Sequence, residues 1–111
     1  MPNKEPLTSG AFTSGIIPDG WKLATNAKKK QCIERILHAK SYMGGVHLVR
    51  DIAKMADKYN HHPDMRINYR RLTLQYTTHT TGGLTSQDME MAKRINKIIS
   101  DNEWKAFIKH T

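Results

Sequence analysis

Apolar positions recur in two rhythms along this chain, and the rhythms divide it into strands and helices. After the turn signal Pro18-Asp19-Gly20, Trp21, Leu23 and Thr25 alternate with their neighbours, the period-2 pattern of a short strand. A polar turn runs from Asn26 to Lys30. The segment 31–39, "QCIERILHA", fits both rhythms, because Cys32, Ile33, Ile36 and Leu37 also suit a helix. Its place after a hairpin-like turn favours a strand.

The next segment is helical. Ser41 is the candidate N-cap, and Val46, Val49, Ile52, Ala53 and Ala56 recur at three- and four-residue steps. Arg50, Asp51, Lys54 and Lys58 fall mostly on the other face. The pattern predicts an amphipathic helix of roughly 17 residues, weakened early by Gly44-Gly45. Pro63 disfavours a helical conformation at His62, so the helix should stop near Tyr59 or Asn60, with Asn60 taking the left-handed terminal position. After a turn at Pro63-Asp64, residues 65–79 read as two strands or one bent strand. Leu72, Leu74 and Tyr76 share one face, and Arg71, Thr73, Gln75, Thr77 and His79 share the other. Tyr69 is expected as a core or edge-strand aromatic.

A second helix should start beyond Gly82-Gly83. Thr85 with Asp88 three residues later fits a capping box, and Met89, Ala92, Ile95 and Ile99 form the stripe to be buried. Trp104 and Phe107 are expected to pack back on the core, with Trp21 half in the core and half in a pocket wall. Residues 1–17, rich in Pro, Gly, Ser and Thr, read as a loose tail, and 18–111 as one domain.

Composition narrows the class. A chain of 111 residues supports one modest core, and 38% hydrophobic with 25% charged residues suits a folded domain rather than a disordered one. No apolar run approaches the roughly 20 residues of a membrane helix, and the first residues carry no signal-like apolar stretch. Cys32 is the sole cysteine, which excludes an internal disulfide and agrees with a reducing, cytoplasmic setting. The net charge of +8 raises nucleic acid as a partner. Only Lys28-Lys29-Lys30 and Arg70-Arg71 form basic runs, however, and neither a zinc-finger spacing nor an RNA-binding aromatic signature accompanies them. A generic basic surface is the preferred reading, with nucleic acid disfavoured.

The candidate chemistry lies in "DKYNHHPD", residues 57–64, and in His79. Zinc would need three ligands and an open position. Adjacent histidines project in different directions, and there is neither a second cysteine nor an HExxH motif, so no metal is expected. Two readings stay open. In one, His61, His62 and His79 are ordinary polar residues at element ends. In the other, His61 is a proton donor at a helix C-terminus, where the dipole favours its charged form, with Asp57 one turn earlier facing it. His79, ending a strand just before the Thr80-Thr81-Gly82-Gly83 turn, would then flank the same small pocket.

The spacing of Asp57, His61-His62-Pro63, Tyr69, His79 and Asp88 resembles the signature of the pterin-4a-carbinolamine dehydratases. Gly20-Trp21, the helix running into His-His-Pro, "TLQYTTH" and "GGLTSQDMEMAKRI" are similar too, and the likeness covers about residues 20–100. Met65 departs from it where an aromatic is frequent, and Asn60 where an acid is common. The resemblance implies an α+β fold, a four-stranded antiparallel sheet with helices packed on one face, in which 31–39 is the second strand. It implies dehydration of 4a-hydroxytetrahydropterin to quinonoid dihydropterin, recycling tetrahydrobiopterin, without metal, cofactor or covalent intermediate. His61 and His79 would be the acid–base pair and His62 a pterin-positioning residue. Asp57, Asn60, Pro63, Thr77 and Thr78 would make the substrate-binding set, with Asp88 as a structural, orienting residue. The implied partners are a pterin and further copies of the chain, in a homodimer or homotetramer. A protein partner is the alternative, since some family members also act as dimerisation cofactors of a transcription factor.

Overall fold

The computed structural model describes residues 16–78, 83–106 and 108–110, with side chains through residue 101. Strand β1 (Lys22–Thr25) and strand β2 (Gln31–Ala39) form a hairpin, and helix α1 (Tyr42–Tyr59) follows. Strands β3 (Asp64–Asn68) and β4 (Arg71–Tyr76) form a second hairpin before helix α2 (Ser86–Ala106), and a short β5 (Ile108–His110) closes the described chain. The sheet order is β1-β2-β4-β3, antiparallel throughout, so β2 and β4 lie at the centre. These are the four strands expected. The three-residue β5 pairs with the distal half of β2, Leu37 to Ala39, alongside the stretch that β1 leaves unpaired.

Residues 31–39 form a strand because alternation wins over the competing helical period. Ile33, Leu37 and Ala39 are buried on one face, whereas Glu34, Ile36 and His38 on the other are only half-buried. On β4, Leu72, Leu74 and Tyr76 continue the apolar face. Leu48 and Ile52 of α1 and Met91, Ala92, Ile95 and Ile99 of α2 join these residues in a single core, so both helices cover the same face of the sheet.

Helix α1 is packed through a slightly different stripe from the one its pattern predicts. Gly45, Leu48, Ile52 and Ala56 are buried, and Val46, Val49 and Ala53 are half-buried beside them. The glycine pair is part of that packing. A Cβ on Gly45 would stand 3.5 Å from the Ala39 Cβ, so the first turn lies directly against the end of β2. Ser41 caps the helix, its hydroxyl accepting from the Gly44 N–H at 3.0 Å. Among the described residues no helix is long and apolar enough to cross a membrane.

Three expectations change. Tyr69 is neither core nor edge strand: it occupies the two-residue turn between Asn68 and Arg71 with φ 54°, is 67% exposed, and has the Arg70 guanidinium over its ring. Trp21 is core, 7% exposed, with its indole N–H bonded to Asn96 Oδ1 at 2.8 Å. Ile17, placed in the expected tail, packs against the core. Residues 1–15 of that tail, Phe107, the Trp104 side chain and the turn at 80–82 lie outside the described residues and side chains.

Candidate active site

Three chain segments converge at one end of the sheet: the exit of α1, the end of β4 and the first turn of α2. Each is aimed by its own local chemistry. Helix α1 ends as the sequence predicts, with Asn60 in the left-handed region at φ 51° and ψ 43°. The Asn60 N–H bonds to the Ala56 and Asp57 carbonyls, and the His61 N–H returns to the Ala56 carbonyl at 3.2 Å. This tight exit, followed by the φ-locked Pro63, gives the two histidines opposite directions.

His61 turns inward. Its ring lies on Tyr76, with centroids 5.1 Å apart and planes 21° from parallel, and its Nε2 stands 2.6 Å from Asp88 Oδ1. The Tyr76 hydroxyl donates to the His61 carbonyl at 2.9 Å. The His61 side chain is left only 12% exposed. His62 turns outward to Asp57, with Nε2 to Oδ1 at 2.8 Å, and both side chains are more than half exposed. Asp57 therefore does not face His61, as one turn of helix suggested. It pairs with His62, and the acid beside His61 comes from another helix.

That acid sits in a closed set of hydrogen bonds. Thr85 is the N-cap of α2: its hydroxyl accepts from the Gln87 N–H at 3.2 Å, and its own N–H donates to Asp88 Oδ2 at 2.9 Å. The Thr78 hydroxyl, from the end of β4, also donates to Asp88 Oδ2, at 2.8 Å. With its one proton committed there, Thr78 accepts from the Thr85 hydroxyl at 2.9 Å. Asp88 is fully buried, and a buried carboxylate without donors is costly. Two donors occupy Oδ2 and the His61 ring occupies Oδ1. An ionised carboxylate can only accept, so the ring proton of this pair belongs to His61 Nε2.

Tyr76 supports the arrangement from below. Burial, and the Asp88 charge after it, push its phenol well above the ordinary tyrosine range, so the hydroxyl stays a donor. Trp21 stands behind it at a ring-centroid distance of 6.3 Å.

The structure thus brings together His61, Asp88, Thr78 and the His61–Pro63 turn, with Asn60 as the hinge. It leaves the His62–Asp57 pair on the surface. The Thr77 hydroxyl is spent on the Gln31 carbonyl at 2.9 Å and the Thr78 hydroxyl on Asp88, so neither is a free donor for a ligand. His79, expected as the second acid–base group, lies outside the described residues. Sequence reasoning did not identify Tyr76 or Thr85 as supports of the site. Thr85 carried a usable signal in its capping box, whereas Tyr76 showed only as a core position. Among the described residues no group of three or more His, Cys, Asp or Glu could hold a metal. Two cavities of about 370 Å³ each lie elsewhere. One is between the Asn26–Lys28 turn and Asp64, the other over Glu34, Ile36 and His38, and neither His61 nor His62 lines them.

Comparison with known proteins gives a consistent result. The family described as Pterin 4 alpha carbinolamine dehydratase matches residues 5–98. A Sulfolobus acidocaldarius protein with the provisional name pterin-4-alpha-carbinolamine dehydratase is 40% identical over 80 residues, 72% of this chain and 82% of its own. A Mycolicibacterium smegmatis protein with the same provisional name is 37% identical over 82 residues, 74% of this chain and 82% of its own. Among solved structures, a Brucella melitensis protein described as a transcriptional coactivator/pterin dehydratase superposes with a TM-score of 0.72 at 26% identity, covering 85% of this chain and 98% of its own.

Proposed function

From the premise that this chain belongs to the pterin-4a-carbinolamine dehydratase family, we propose that it dehydrates 4a-hydroxytetrahydropterin by histidine acid–base catalysis. The reaction breaks the C4a–O bond. A proton delivered to the 4a-hydroxyl lets it leave as water, and loss of the N5 proton forms the C4a=N5 double bond of the quinonoid dihydropterin. Both proton movements suit imidazole groups near neutral pH.

The observation that carries this reading is the His61–Asp88 contact at 2.6 Å in a nearly buried setting. An imidazole with one nitrogen fixed on a carboxylate keeps one tautomer and one orientation, and the carboxylate offsets the ring's charge while it holds the transferable proton. His61 is the acid in this reading, supported by Asp88 rather than Asp57. His79 is the base, and His62, paired with Asp57 on the surface, positions the pterin ring together with that carboxylate. Asn60 and Pro63 hold the turn that presents the histidines. Thr77 and Thr78 act on substrate through backbone groups, since their hydroxyls are engaged within the protein.

The setting we propose is cytoplasmic recycling of tetrahydrobiopterin by a homodimer or homotetramer. Among the described residues the outer edge of β3 has no partner strand, which offers a second copy a place to extend the sheet. The Brucella protein's description as a coactivator favours a second reading, a binding module acting as dimerisation cofactor of a transcription factor. A stopped-flow record of 4a-hydroxytetrahydropterin decay, with and without the protein, tests the first reading. Acceleration supports it, and decay at the uncatalysed rate removes it. Partner capture by the His61→Ala/His79→Ala protein tests the second, since a binding module would keep its partner.

A further inference from the structure

We infer that Tyr76 is a positioning residue for His61, and that Nδ1 of His61 is the ring atom that exchanges a proton with substrate. The inference rests on the acid–base reading of His61 given above, and it adds the atom and the residue that fixes it.

Three contacts determine where the His61 ring can be. Its Nε2 edge is held by Asp88 Oδ1 at 2.6 Å. Its face is held by the Tyr76 ring, 5.1 Å away and 21° from parallel. Its backbone is held by the Tyr76 hydroxyl, which donates to the His61 carbonyl at 2.9 Å. Tyr76 therefore supplies two of the three restraints. The stack limits rotation of the imidazole about its Cβ–Cγ bond, and the hydroxyl anchors the backbone from which the ring projects. A buried tyrosine needs a partner for its hydroxyl, and here the partner belongs to the residue that its ring also touches.

Nε2 is consumed by this arrangement. It faces a carboxylate whose other oxygen already accepts from Thr78 and Thr85, so it carries a proton and points into the protein. Nδ1 has no hydrogen-bond partner among the described residues, and the 12% of the side chain that remains exposed is what a substrate can reach. In the neutral ring, a proton on Nε2 makes Nδ1 the lone-pair nitrogen; in the charged ring, Nδ1–H is the proton that can leave.

Tyr76 cannot itself meet the substrate. It is fully buried at the sheet end, backed by Trp21 at 6.3 Å, which is in turn tied to Asn96. Its effect on the reaction passes through His61, which distinguishes a positioning residue from a catalytic one. The stack also explains why an aromatic at position 76 suits a site whose acid approaches from a different helix. The imidazole must lie flat over the end of β4 for Nε2 to reach Asp88.

The test uses the full-length chain labelled with ¹⁵N in histidine. The neutral His61 ring is expected as the Nε2–H tautomer, with a lone-pair resonance from Nδ1. Tyr76→Leu and Tyr76→Phe are then compared, on protein shown to be folded by circular dichroism and thermal melting. Loss of the ring in Tyr76→Leu is expected to lower kcat about tenfold or more with KM within about twofold, because geometry and not binding is disturbed. Tyr76→Phe keeps the stack and should lose only about two- to fivefold in kcat. It also decides the matter if the leucine variant does not fold. An Nδ1–H tautomer in the wild-type protein, or unchanged kcat in the folded variants, overturns the inference. If the wild-type protein did not accelerate the dehydration at all, the acid–base reading would fail. The tautomer, and its disturbance in Tyr76→Phe, would still judge the positioning claim.

Discussion

Asp88 joins His61 at 2.6 Å with one carboxylate oxygen and closes the first turn of its own helix with the other. One buried side chain is thus both the acid of the α2 capping box and the anchor of the candidate acid. Structure and chemistry share a residue here, so changes at Asp88 should register in both.

Asp88→Asn keeps the shape but exchanges an oxygen for an amide that must donate. Either the Thr85 N–H and Thr78 hydroxyl or the His61 Nε2–H then meets another donor. We expect kcat to fall by about 100-fold or more, from loss of the fixed tautomer. The protein should also lose about 1–3 kcal/mol of stability, from the unpaired buried groups. Steady-state kinetics and urea unfolding on the same preparation check both. A loss of stability without a loss of kcat would leave Asp88 as a cap alone.

Thr78→Val removes one donor to Asp88 and the acceptor of the Thr85 hydroxyl while keeping the side chain's volume. The expected cost is about 1–2 kcal/mol in chemical denaturation. A smaller fall in kcat than for Asp88→Asn should accompany it, because the Thr85 N–H still holds Oδ2.

The exposed His62–Asp57 pair predicts the opposite partition. Asp57→Asn and His62→Ala should each change stability by no more than about 0.5 kcal/mol, since solvent-exposed ion pairs contribute little. If His62 positions the pterin, His62→Ala raises KM more than it lowers kcat. A fall in kcat equal to that of a His61 variant would contradict this assignment.

Asn60 holds φ 51°, a conformation that costs an ordinary L-residue about 1–2 kcal/mol. Asn60→Ala should be destabilised by about that amount, and Asn60→Gly should be nearly neutral. Thermal melts of the two variants distinguish backbone strain from loss of the amide, because only strain separates alanine from glycine.

Cys32 is fully buried, and that burial, with smaller contributions from Glu34, Asp64 and Asp88, raises its thiol from 9.0 to about 11. The native thiol should therefore resist a disulfide reagent at pH 8 and react at once in denaturant. The sign for stability follows from the same shift. The folded state keeps its proton where the unfolded state has lost it, so the contribution is complete below about pH 9 and is lost as the pH rises toward 11. Unfolding free energies across that interval should fall more steeply for the wild type than for Cys32→Ala.

Local chemistry made much of this molecule legible. The Ser41 cap, the left-handed Asn60, the Thr85–Asp88 box and the two faces of β4 each depend on residues a few positions apart, and each appears where the pattern puts it. Contacts between distant segments were another matter. His61 and Asp88 are 27 positions apart, and only the packing of α1 against α2 over the sheet decides that Asp88, not the nearer Asp57, reaches the ring. The Tyr76 stack was hidden for the same reason, since alternation marks Tyr76 as buried without saying against what. Leu48 shows a subtler limit. The helix presses its glycine-bearing side on β2, which rotates the buried stripe away from the valines that periodicity favoured. The turn at Tyr69 carried no glycine or asparagine at its positive-φ position, so no turn signal identified it.

In the proposed mechanism His61, held by Asp88, delivers a proton to the departing hydroxyl of a pterin carbinolamine. Stopped-flow decay of 4a-hydroxytetrahydropterin, run with the wild type and with His61→Ala at equal folded concentration, tests it most directly. Clear acceleration by the wild type is expected, with a loss of about 100-fold or more in kcat for His61→Ala. Near-wild-type kcat in a folded His61→Ala protein would contradict it.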